Sequence, residues 1–154
     1  MANPNIELLT SIANAMGELR EQVVFVGGCA TGLLITQPNV ADARATEDVD
    51  AIVEVASLVS APYFMATKLE AFKDRGNNDV YLSHDLEDII SVVDGREELL
   101  QELTAAPPEV RSFVAHTFQG ILKHPDFTNV LPGIVSQSAR TGLVLQRFTK
   151  IAEL

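Results

Sequence analysis

The chain has 154 residues, 47% of them hydrophobic, enough for one sizeable core or for a small sheet with a helical annex. Eleven Lys and Arg against 21 Asp and Glu leave a net charge of −10, which argues against non-specific attraction to phosphate backbones and requires any nucleic-acid partner to find a local basic patch. The single cysteine, Cys29, excludes an intramolecular disulfide and a cysteine zinc cluster.

The first residues lack a basic segment followed by an uninterrupted apolar core, and no run approaches the roughly 18 apolar residues of a membrane span, so the expectation is a soluble cytoplasmic protein without membrane contact. Ile6, Leu9, Ile12, Ala13, Met16 and Leu19 recur at helical spacing and predict an amphipathic helix from about Ile6 to Arg20. "VVFV", Val23 to Val26, reads as a short, fully buried strand that stops at Gly27-Gly28. Small and apolar residues from Cys29 to about Ile35 suit a short helix packed on that strand. "TQPNVADARATE" is a polar loop turning at Pro38-Asn39, and "DVDAIVEV" is a second strand.

Beyond "ASLVSAP" the pattern is helical. Ser60 and Pro62 signal the start of a helix reaching about Arg75, and Ser83 caps another whose Leu86, Ile89, Ile90 and Val93 form a core-facing stripe. Gly95 separates that helix from "REELLQELTAA". Pro107-Pro108 opens the next, to about His124, and the last runs from about Ser136 to Glu153. The fold class expected is α+β, a small sheet in residues 1–60 packed as one unit against a larger helical lobe in residues 61–154.

Two features of the front part carry chemistry. On a strand, Asp48, Asp50, Ile52 and Glu54 share one face, and Val49, Ala51, Val53 and Val55 form the core face. Asp48 and Asp50 stand about 7 Å apart by strand rise, close enough to converge on a hard cation such as Mg²⁺ or Mn²⁺; otherwise Asp48 closes the loop and Asp50 is a solvated strand-end residue. Gly27-Gly28 lets the backbone approach a phosphate at a helix start, or serves a tight strand-to-helix turn with no ligand.

Taken together, "VGG" followed by "RATEDVDAIVEV" resembles the nucleotidyltransferase superfamily. "PYFMATKLEAFKDRGNNDVYLSHDLEDIISVVDGREEL" is similar to the helical part of bacterial abortive-infection (AbiEii-type) nucleotidyltransferase toxins, and the resemblance covers most of residues 23–100. It implies that Gly27 and Gly28 take the triphosphate of an NTP and that Asp48 and Asp50 are catalytic and hold the metal. Arg44 and Thr46 precede the aspartates where relatives carry a similar Arg-x-Thr. Lys68 and Arg75 would neutralise phosphate charge, and Asp85, in "HDLED", takes the family's later acidic position. The implied activity is transfer of a nucleoside monophosphate to an RNA or protein hydroxyl, within a toxin–antitoxin or phage-defence system that supplies an antitoxin partner. The alternative is a catalytically defective nucleotide-binding or protein-interaction module.

Lys68 and Arg75, two turns apart, share a helix face separate from the Met65, Leu69 and Phe72 stripe; without the resemblance, solvated ion pairs with nearby acids are the favoured account of them. Asp85, Glu87 and Asp88 in a first helical turn are each favoured by the macrodipole, at roughly 0.3–1 kcal/mol, without any ligand. His84 and Asp88 make two ligands without a third, and Cys29 suits a small packing role. His116 and His124 read as helix-surface residues.

The chain departs from the family in one respect. A third carboxylate on a further strand is missing, because only "ASLVSAPYFM" separates Val55 from Ala66, as though an internal segment were absent. Glu54 lies about 13 Å along the strand from Asp50, too far to share its ion. Two strands seldom form a stable sheet unsupported, so "SLVS" supplies a third, or the lobe or another copy of the chain, in a homo-oligomer, covers the edge.

Overall fold

The computed structural model describes residues 4–17, 23–37, 50–53, 59–74, 79–135 and 137–154. These are mostly helical. Helix α1 (Pro4–Met16) leads into strand β1 (Val23–Val26), helix α2 (Gly28–Leu34) and strand β2 (Asp50–Val53). Helices α3 (Ala61–Asp74), α4 (His84–Gly95), α5 (Leu99–Ala105), α6 (Pro108–Lys123), α7 (Phe127–Ile134) and α8 (Thr141–Ala152) follow. An α-rich fold with two short strands is therefore the observed class. Asp48 and the flanks of the expected "DVDAIVEV" strand lie outside the described residues.

β1 and β2 pair antiparallel, with Val23 opposite Val53 and Val26 opposite Asp50. Of β1 only Val23 is buried, while Val24, Phe25 and Val26 are half-buried. The expectation of a fully buried strand is thus corrected: β1 is buried at its first residue only, and among the described residues its sheet has two strands. Val59 and Ser60, the described half of "SLVS", adopt no strand. Among the described side chains of α1 Asn5 and Leu9 are the buried ones, and the helix ends at Met16, where Gly17 takes φ 57°, the left-handed conformation that ends helices.

The core lies in the helical part. Phe64, Met65, Leu69 and Phe72 of α3 meet Leu86, Ile89, Ile90 and Val93 of α4, the stripe expected from its spacing. Phe118, Phe127 and Phe148 join α6, α7 and α8, with ring centroids 4.6 Å apart for Phe118–Phe148 and 4.9 Å for Phe127–Phe148. Ala30 and Leu34 of α2 belong to the same cluster. The Ser83 hydroxyl accepts the Leu86 N–H at 3.3 Å and caps α4 as its position predicts.

The C-terminal end of α4 is a junction. Gly95 lies so close to α2 that a Cβ there would stand 2.6 Å from Ile35 Cγ2, and its carbonyl accepts the N–H groups of Thr36 and Gln37. Arg147 donates to the Val93 and Asp94 carbonyls, and Arg140 to the Asp94 carbonyl and to its carboxylate at 2.7 Å. Two guanidinium groups thus satisfy carbonyls of the last helical turn and oppose its negative dipole end. Arg96 forks onto Glu102 with two bonds of 2.6 Å and also donates to the Leu34 carbonyl; the Glu102 bonds hold its guanidinium pKa above the ordinary value.

Candidate functional site

β1 stops at Gly27, whose φ of 76° and ψ of −164° suit glycine and strain any residue with a Cβ. The turn accounts for this glycine whether or not a ligand binds. From Gly28 the chain enters α2, and the Gly27 carbonyl accepts the Ala30 N–H at 3.2 Å. Cys29 is fully buried at this point, its thiol donating to the Val26 carbonyl at 2.9 Å, so it fills a packing position.

The antiparallel register determines what stands beside the glycines. Because Val26 pairs with Asp50, the chain enters β2 at the end of the sheet where it leaves β1. The backbone of Asp50 is therefore opposite the residue that precedes Gly27. Asp48, Arg44, Thr46 and Arg75 lie outside the described residues, as does Glu54. Among the described residues no group of three or more His, Cys, Asp or Glu side chains is placed to hold a metal.

Lys68 sits in a second cluster, between α3 and α4. It is 9% exposed, and its ammonium lies 3.0 Å from Asp85 Oδ1 and 2.7 Å from Asp88 Oδ2. The Phe64 ring is 6.0 Å from the same nitrogen. Asp85 and Asp88 are one turn apart on α4, so both reach one cation. Lys68 and Asp85, two of the residues singled out in the sequence, are brought together; Asp88, a buried carboxylate that first-turn propensity had accounted for, is the third member. Its signal lay in the i, i+3 spacing of Asp85 and Asp88 beside an apolar stripe, but the partner is 17 to 20 residues away in sequence.

His84 faces elsewhere: it is exposed, with Nδ1 3.0 Å from Glu87 Oε2, whereas Asp88 is buried against Lys68. These two therefore do not form a metal pair. His116 is exposed and His124 half-buried, both on α6 or its C-terminal cap.

No protein-family model, no curated protein and no solved structure matches this chain. No helix among the described residues is long and apolar enough to cross a membrane.

Proposed function

We propose that the chain is a nucleotidyltransferase-like protein that binds Mg²⁺–NTP at the end of the sheet where β1 leaves and β2 enters. The observation that supports this reading is the register: it sets Asp50 opposite Val26, the residue before Gly27-Gly28, at one end of the sheet. α2 has seven residues, so its dipole adds little at this turn. Asp48 and Asp50 would hold the divalent cation, as hard oxygen donors suit Mg²⁺ or Mn²⁺, and Gly27 and Gly28 would admit the triphosphate. The bound metal supplies polarisation of the phosphate under attack. Arg44, Thr46 and Arg75 are the further phosphate contacts, and an RNA or protein hydroxyl is the acceptor, in the setting of a cytoplasmic toxin with an antitoxin.

Calorimetry of Mg²⁺–NTP binding to the wild type and to the D48N/D50N double variant tests this. Loss of binding with an unchanged melting temperature is expected; unchanged affinity would defeat the proposal.

A second reading, a catalytically defective nucleotide-binding or interaction module, is favoured by the state of Lys68. A lysine already held by two carboxylates is neutralised before any phosphate arrives. If Lys68 serves phosphate, Lys68→Met weakens NTP binding more than binding of the free nucleoside. Equal effects on the two ligands assign it to the α3–α4 ion cluster.

A further inference from the structure

Along the flank of α3 that packs on α6 runs a cleft of about 440 Å³, within the size range of small-molecule sites. Its apolar lining comes from Phe72, Val80, Phe113 and Ile121. Among the described residues that line it none is acidic, in a chain of net charge −10. It is lined instead by His116, His124 and Lys73, the last with its ammonium 5.2 Å from the Phe113 ring centroid.

Gly120 indicates that the space is kept open. It lies inside the 16-residue helix α6, where glycine weakens the helix, yet a Cβ there would meet no atom within 4 Å. Packing therefore does not require it. Residues 116, 120 and 124 follow one another at four-residue spacing, so the glycine separates two imidazoles on one stripe. His124 Nδ1 accepts the Asp126 N–H at 3.3 Å, which in the neutral ring leaves the proton on Nε2 as a donor. Lys73 has a surface partner, Glu70 at 3.5 Å, in a pair exposed enough to exchange with a ligand anion.

We propose that this cleft binds a small organic acid, with an aromatic or branched apolar body on Phe72, Val80, Phe113 and Ile121 and its single carboxylate against Lys73 and one of the two imidazoles, His116 or His124, which the helical rise holds about 12 Å apart. A phosphate dianion suits the site less. The helical backbone of α6 has already used its N–H groups, and among the described lining residues there is no guanidinium to receive a second charge.

The test is a two-dimensional NMR titration of the full chain with 3-phenylpropionate and with 3-phenylpropan-1-ol, its neutral counterpart. Binding of the acid on the order of 1 mM is expected for a ligand of this size, with shifts at residues 113–124. The alcohol should bind about tenfold more weakly, the value of one charge-assisted bond. Gly120→Leu should fill the cleft and abolish both, while the H116Q/H124Q double variant, which keeps Lys73, should weaken the acid several-fold and leave the alcohol unchanged. Equal affinity for acid and alcohol, shifts confined elsewhere, or no binding of either would overturn the proposal. Should Gly120→Leu fail to fold, as judged by circular dichroism, the double-histidine variant decides by itself.

Discussion

Replacing Lys68 by Met retains most of the stem that packs beside Phe64 and removes the ammonium that Asp85 and Asp88 share. Removing one partner of a buried ion pair typically costs about 3–5 kcal/mol, because the remaining charge stays desolvated. Here the two carboxylates differ. The Asp88 side chain is 3% exposed and bears most of that cost, whereas the Asp85 side chain, at 15%, can recruit water. The lower end, about 3 kcal/mol, is therefore expected, which in a chain of this size lowers Tm by roughly 6–12 °C. Urea denaturation of K68M, D88N and the double variant would measure it. D88N should relieve the stranded charge, so the double variant should be more stable than the sum of the single losses predicts, by about 1–3 kcal/mol. A loss below about 1 kcal/mol for K68M, the range of an exposed pair, or simple additivity in the cycle, would refute the claim that this lysine neutralises a buried site.

Gly95→Ala should destabilise the fold by about 1–3 kcal/mol, because its Cβ meets the branch of a stiff Ile35 side chain; an unchanged urea midpoint would show that α2 can move away. Gly120→Ala should do the opposite and add about 0.5–1 kcal/mol, since the new methyl group meets open space in a helix interior; a lower midpoint would contradict this. Glu98 has its carboxyl pKa lowered by its own backbone N–H and then by the Thr36 hydroxyl, 3.0 Å away. Stability from this group is present above the ordinary carboxylate value and is lost as pH falls through the lowered one. An NMR titration should find that Thr36→Val raises the Glu98 pKa toward the ordinary value; no change would remove Thr36 from the explanation.

The helical part was readable wherever a local signal and a buried stripe agreed. Ser83 announces α4, Pro108 opens α6, and Leu86, Ile89, Ile90 and Val93 all reach the core. α7 was not expected, because Pro132 and Gly133 disguise its residues as a loop; tertiary burial of Phe127 and Leu131, one turn apart, outweighs those breakers. The last helix begins at Thr141, after a 3₁₀ turn at Ser138–Arg140, and not near Ser136. Lys68 shows why the rest was hidden. Its helix face gave no way to tell a solvated cation or a phosphate ligand from a buried one, since the deciding carboxylates belong to the next helix. The arginines at the end of α4 are more remote still: Arg140 and Arg147 lie about 50 residues from the carbonyls they satisfy. The Gly-Gly turn and the second strand are each legible in the sequence, but only the antiparallel register shows that the turn and the start of β2 lie at one end of the sheet.

The most direct test of the nucleotide site is paramagnetic relaxation by Mn²⁺ added with an NTP to the isotopically labelled full chain. Selective broadening of the amide signals of Gly27, Gly28 and residues 48–51 is expected, absent in the D48N/D50N variant and reversed by excess Mg²⁺. Broadening confined to the acidic surface elsewhere, or the same pattern in the double variant, would contradict it.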